Sequence, residues 1–143
     1  MYNINPILWG KHGWAFLHYI TLSYPDTPDK DTKQMFKDFF TNIIWKFLPC
    51  EKCRINYKKH LQDLPLTDEI MNSRNSFIYW LVDMHNIVNQ DLDKKKISYD
   101  EFNSIYMSNQ EEEKEKKETN YSSYIIICLI IILIILFMIY RKV

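Results

Sequence analysis

Glycine is nearly absent from this chain: Gly10 and Gly13 are the only two in 143 residues. That excludes the phosphate-cradling loops of Rossmann and P-loop proteins, which need two or three glycines at fixed spacing after a strand. Any nucleotide bound here must be held another way. Cysteine is scarce as well, and three of them cannot form the even-numbered framework of a small secreted disulfide scaffold. Neither charge is in excess, with 18 Lys plus Arg against 18 Asp plus Glu. There is thus no basic footprint, and no nucleic-acid partner is expected. No segment alternates with a clean period of two and no internal repeat is visible. What the chain does have is 15% aromatic residues, enough to fill the core of one small domain.

Hydrophobicity is concentrated near the C-terminus. Tyr124 to Tyr140 reads YIIICLIIILIILFMIY, about 17 uncharged residues that as a helix would span roughly 26 Å, close to the hydrocarbon core of a bilayer. Tyr121, Tyr124 and Tyr140 take interfacial positions, and Arg141 and Lys142 close the far end. The expected organisation is a soluble domain at 1–110, a charged linker at 111–120 containing EEEKEKKE, and a C-terminal transmembrane anchor at 121–143. The N-terminus has no basic region followed by an apolar run, so no signal peptide is expected.

The domain reads as helical throughout. Trp14, Leu17, His18 and Thr21 recur at helical spacing, and Tyr24-Pro25 with Pro28 ends that helix. A second helix, capped by Asp31 or Thr32, carries Met35, Phe36, Phe39, Phe40, Ile43, Ile44 and Phe47 and stops at Pro49. A third starts at Pro49-Cys50 and runs to about Leu61. Asn75 or Ser76 opens a fourth, with Phe77, Trp80, Leu81, Met84, Ile87 and Val88 on one broad apolar face. Tyr99 to Met107 forms a short fifth. The expected class is all-α, a four-helix bundle plus that fifth helix.

Candidate chemistry starts at Cys50-Glu51-Lys52-Cys53. This spacing puts two sulfurs on the first turn of a helix, close enough for a small-ring disulfide. Free amide N–H groups at a helix start stabilise a thiolate. The pair suits dithiol–disulfide interconversion, but it is equally half of a zinc site, or two inert thiols. A zinc site drawing on Cys50, Cys53, His18 and His85 is conceivable, although no histidine pair has zinc-finger spacing and there is no second C-x-x-C. Cys128 lies in the apolar segment, where it serves as filler. A thioredoxin-like arrangement fails for lack of βαβ structure.

Helical spacing places Trp14 and His18 on one face of the first helix, and His85 and Asn89 on one face of the fourth, with Asn86 beside them. Singly, each is an ordinary structural residue. Together they offer flat stacking surfaces with amide and imidazole donors, which a planar heterocyclic cofactor needs.

Trp9-Gly10-Lys11-His12-Gly13-Trp14-Ala15-Phe16-Leu17-His18, Tyr24-Pro25, Pro49-Cys50-Glu51-Lys52-Cys53, and His85-Asn86-Ile87-Val88-Asn89 with Leu92 and Lys94 resemble the Erv/ALR family of FAD-linked sulfhydryl oxidases. The similarity spans about Leu8 to Tyr106 and is greatest to the minimal forms of large DNA viruses. It implies FAD as cofactor, with Lys11, Trp14, His18, Cys53, His85, Asn86, Asn89 and Lys94 around it and no metal. Lys11 stands where many members have Arg, keeping the charge but losing the bidentate fork. Tyr99, Phe102 and Tyr106 are the aromatics available for an adenine contact. Of the glycines, Gly10 matches the family pattern and Gly13 has no counterpart.

The resemblance further implies catalysis by Cys50 and Cys53. A substrate thiolate attacks Cys50, Cys53 is the flavin-proximal sulfur, and electrons pass through FAD to oxygen, giving hydrogen peroxide. With no shuttle cysteines, dithiol relay or substrate proteins reach Cys50 directly. A homodimer is implied too. A tail anchor would leave the domain in the cytosol, on an endoplasmic-reticulum or virion membrane, in a viral pathway that oxidises virion proteins. The alternative is a membrane-anchored zinc-binding adaptor.

Overall fold

The computed structural model describes residues 3–108, 119, 121, 123–133 and 141, and among them every regular element is helical. The chain divides into two units, Met1–Phe102 and Asn103–Val143.

In the first unit, α1 (Pro6–Leu22) begins at Asn5, whose side-chain oxygen accepts the Ile7 N–H at 3.0 Å, with Pro6 suited to the first helical position. The next helix, α2 (Lys30–Asp38), is capped by Asp29, which accepts the Thr32 N–H at 2.7 Å. That bond holds the Asp29 carboxyl below the usual range. The cap is therefore Asp29 and not the expected Asp31 or Thr32: of three good capping residues within four positions, the first has the extended backbone a cap requires.

One feature of this rod has no counterpart in the sequence reading. Through Phe39–Ile43 the ladder widens by one residue, so that the Ile44 N–H reaches the Phe39 carbonyl instead of that of Phe40, and helix resumes as α3 (Ile44–Phe47). The Phe40 carbonyl receives the Tyr57 hydroxyl at 3.0 Å. Tyr57 belongs to α4 (Glu51–Asp63), the helix that opens at Cys50, so the widened turn docks that helix. Burial pushes the Tyr57 hydroxyl pKa well above its usual value and keeps it a donor. Lys58, also on α4, sits over the Trp45 ring of α3 at 4.6 Å.

A 3₁₀ turn at Ile70–Asn72 leads to α5 (Arg74–Asp91), capped by Ser73 through the Ser76 N–H at 3.2 Å. The expected caps, Asn75 and Ser76, lie inside the helix, where the Ser76 hydroxyl bonds back to the Ile70 carbonyl at 2.9 Å. Phe77, Ile78, Trp80, Leu81, Val82 and Met84 are all buried, which makes α5 the central helix. Its Phe77 meets Tyr24 at 5.0 Å and Phe40 at 5.1 Å edge to face. The Tyr24 hydroxyl is satisfied by the Met71 carbonyl at 2.8 Å, and the Trp80 indole by that of Leu64 at 3.2 Å. Last comes α6 (Tyr99–Tyr106), with Phe102 fully buried. The all-α class holds, with α1, the α2–α3 rod, α4 and α5 as the principal helices and α6 as the short fifth.

Of the predicted anchor, residues 121, 123–133 and 141 are described, 123–133 as helix with exposed side chains, and the remainder lies outside the described residues, as does nearly all of the charged linker. Among the described residues no helix is long and apolar enough to cross a membrane.

Tyr57→Phe should remove the hydroxyl that serves the Phe40 carbonyl and destabilise the domain by about 1–3 kcal/mol. Urea unfolding measures this, and an unchanged midpoint would show the docking bond to be dispensable.

Candidate redox and cofactor site

Cys50 and Cys53 are joined as a disulfide at the start of α4. Cys50 is the N-cap: its backbone is extended (φ −148°, ψ 122°) and its sulfur accepts the Cys53 N–H at 3.2 Å. The turn before it is held by Arg54, whose guanidinium donates to the Leu48 carbonyl at 2.6 Å. Cys50 is only 5% exposed, whereas Cys53 is half-buried. The sulfur expected to meet substrate is thus the more covered of the two.

A second set of groups brings α1, α5 and α6 together. Trp14 stacks on His85 with centroids 4.1 Å apart and planes 10° from parallel. His85 Nδ1 lies 3.1 Å from His18 Nε2, and Phe102 closes the far side of His18 at 4.9 Å between centroids. Burial, reinforced by the charge of Lys94, lowers His85 to about 4. Burial, with His85 adding to it, lowers His18 to about 3. Both imidazoles are neutral at neutral pH, so a single proton lies between them and their tautomers are coupled.

The remaining predicted residues divide by role. The Asn86 side chain is committed to the loop after α5, donating to the Ile97 carbonyl at 2.9 Å and accepting the Ile97 N–H at 2.8 Å. Asn89 is buried, and its carbonyl accepts the Lys94 N–H at 2.8 Å across Asp93, which takes the left-handed conformation (φ 52°) that ends α5. Lys94 and Lys11 are exposed cations, Lys11 one turn before Trp14. Cys53 and Lys11 are not members of the ring set. His60, at the far end of α4, lies 3.0 Å from the Asp91 carboxylate in a contact that ties α4 to α5. Among the described residues no group of three or more His, Cys, Asp or Glu is placed to hold a metal ion.

Three features escaped sequence reasoning. Phe102 is a wall against His18, and Tyr99 is engaged by Tyr79 and by the Asp83 carboxylate at 2.9 Å. Gly13 is not incidental: a Cβ there would come within 3.1 Å of the Trp9 ring, while Gly10 has open space around it. Asn3 and Ile4 bond to the residues on either side of Cys50. The Gly13 contact had a readable signal, an aromatic residue four positions earlier on the same helix face. The contacts of Asn3 and Ile4 had none.

A bonded Cys-x-x-Cys on a helix N-terminus, in a domain without strands among its described residues and with a layered ring cluster beside its central helix, defines an all-helical dithiol–disulfide oxidoreductase. A model of the Erv1/Alr family matches residues 11–107, and the chain belongs to that family. It is 43% identical over 98 residues to a probable FAD-linked sulfhydryl oxidase of Acanthamoeba polyphaga mimivirus, covering 68% of each chain. It is 37% identical over 98 residues to the FAD-linked sulfhydryl oxidase of an African swine fever virus isolate, covering 68% of this chain and 79% of that one. Among solved structures, the FAD-binding domain of Erv1 from Saccharomyces cerevisiae matches with a TM-score of 0.65 at 26% identity, covering 73% of this chain and 95% of that chain.

The neutral imidazoles set a pH dependence. Unfolded, both take up protons near the usual 6.5; folded, only near 4 and 3. Stability is therefore full above about pH 6.5 and falls as pH drops through the window below it. Urea midpoints measured from neutral pH down to about 4 should decline. His85→Gln should flatten the decline, and an unaltered slope would assign it to other groups.

Proposed function

We propose that this chain is an FAD-dependent thiol oxidase that forms disulfides in substrate proteins by exchange at Cys50 and Cys53. The observation that carries this reading is the bonded pair on the first turn of α4. A substrate thiolate attacks the Cys50 sulfur, the Cys50–Cys53 bond breaks, and Cys53 leaves as thiolate. A second substrate thiolate then attacks the substrate sulfur of the mixed disulfide and releases Cys50. The Cys53 N–H that Cys50 already accepts stabilises Cys50 as it leaves.

The residues fit an isoalloxazine and its phosphates. Trp14, stacked on His85, supplies a flat surface, and the neutral imidazole pair supplies polar edges without a charge to solvate. Lys11 and Lys94 would meet the pyrophosphate charge. Asn89 lines the same end of α5, and Asn86 serves by fixing the loop that carries Lys94. When bound, FAD supplies the oxidising power, accepting the electron pair of the reduced cysteines and passing it to oxygen to give hydrogen peroxide.

The setting is also a proposal. The described part of the C-terminal segment is apolar on all sides, with Ile125 to Leu133 between 45% and 65% exposed among the residues resolved as large and apolar. Such a helix needs a nonaqueous surround, which supports a single-pass anchor on an endoplasmic-reticulum or virion membrane with the domain in the cytosol. The substrates would be virion proteins or small dithiol relays in a viral pathway. Leu8, Phe16 and Tyr19 project from one face of α1 at 72%, 59% and 47% exposure, which supports a homodimer packed through that helix.

Purified protein should show a flavin absorption band that bleaches with a dithiol in the absence of oxygen and returns in air. Cys50→Ser should retain the band and lower oxygen consumption by about 10³-fold or more. A colourless protein with stoichiometric zinc would favour the adaptor instead. Truncation after Gln110 should move the protein from the membrane fraction to a soluble dimer by sedimentation; a truncated chain still in membranes would sink the anchor. Protease protection of the domain in intact membranes would reverse the orientation.

A further inference from the structure

Cys50 is extended, as a strand residue is, and both of its flanking backbone groups are engaged by one segment. The Ile4 N–H donates to the Pro49 carbonyl at 2.7 Å, and the Glu51 N–H donates to the side-chain oxygen of Asn3 at 3.1 Å. In a parallel β bridge, a partner residue gives its N–H to the carbonyl before a residue and its carbonyl to the N–H after it. Ile4 makes the first of these bonds across Cys50. The Asn3 side chain takes the place of the second, because the Ile4 carbonyl is occupied by the Trp9 indole at 3.3 Å. Trp9 in turn is seated over Gly13, where a Cβ would press to 3.1 Å from its ring. Asn3, Ile4 and Asn5 are themselves exposed among the described residues, while Cys50 is covered.

We propose that Asn3–Ile4 is a removable strap occupying a substrate-binding ledge, formed by the Pro49 carbonyl and the Glu51 N–H, that recognises the backbone of an extended cysteine-bearing segment. The idea rests on exchange at Cys50 as described above. An incoming segment displaces the strap, pairs with the ledge, and so brings its thiolate to the Cys50 sulfur. The new bond joins substrate sulfur to Cys50, the Cys50–Cys53 bond breaks, and Cys53 departs as thiolate. The ledge therefore selects extended, locally unfolded chains over compact thiols, since one extended backbone supplies both the donor and the acceptor that the strap provides.

The test is made on the full-length holoenzyme with two reductants: dithiothreitol, which has no backbone, and a short unstructured peptide carrying a Cys-x-x-Cys pair. Asn3→Ala/Ile4→Pro removes one acceptor and one donor from the strap and leaves the ledge intact. It should raise the rate of disulfide reduction by the peptide about fivefold or more, relative to the rate with dithiothreitol. Trp9→Phe keeps the ring but loses the bond to Ile4, and should move the ratio in the same direction, which covers the case of a misfolded double variant. An unchanged ratio, whether both rates rise or neither moves, overturns the ledge while wild-type turnover stands. A wild-type disulfide inert to both reductants overturns exchange at Cys50 itself, and the ledge with it.

Discussion

A helix cannot begin unless its first amide groups find acceptors, and in α4 that requirement is met by a sulfur. In the proposed exchange, the same atom that caps the helix is the one attacked. This double use constrains everything around it. Because Cys50 must be extended to cap, the turn before it has to be held, and Arg54 does so from one turn inside the helix it starts. Because the helix must point its first turn at a fixed place, Tyr57 docks it on the widened turn of the neighbouring rod. That widening is a local loss in the ladder that creates an acceptor where another helix needs one.

The ring cluster obeys a complementary logic. Charged imidazoles in this place would have to be desolvated, so burial holds both histidines neutral and a single shared proton orders them. Order then spreads outward by hydrogen bonds. His85 fixes the register of α5 against α1, the adjacent Asn86 spends its amide on Ile97, and Asn89 draws back Lys94 through the left-handed turn at Asp93. One turn of α5 thus sets a stacking surface, a loop and a cation. Substitutions at Asn86 would be felt through the loop's position.

The parts of this arrangement that were legible in the sequence are local ones. Trp14 with His18, and Cys50 with Cys53, are separated by three or four residues, and helical geometry alone puts such pairs together. That His85 meets Trp14 was suggested by the matching character of the two faces and by the family resemblance, not by local spacing. Helix starts came out two or three residues late at α2 and α5, because runs such as Asp29–Asp31–Thr32 and Ser73–Asn75–Ser76 contain several competent caps and only tertiary context chooses among them. The widened turn at Phe39–Ile43 had no signal, since Phe, Thr, Asn and Ile suit an α-helix as well as a π turn and the choice depends on Tyr57 arriving from elsewhere. Asn3 meeting Glu51 is likewise a contact between distant parts of the chain.

The scarcity of glycine takes on a different meaning in this light. A glycine loop works by letting backbone N–H groups close around a phosphate, and a chain with two glycines, both in one helix, has no such loop. Gly13 instead gives up its side chain so that Trp9 can lie flat and hold Ile4 beside Cys50. Under the proposed function, recognition of a dinucleotide would come from side chains: ring faces for the flat part, exposed lysines for the charged part. Lysine would serve there as a point charge with little directional demand, so the helices would not need to bring backbone amides to the phosphates. At the start of α4 the backbone N–H groups are already given away, that of Cys53 to the Cys50 sulfur and that of Glu51 to Asn3.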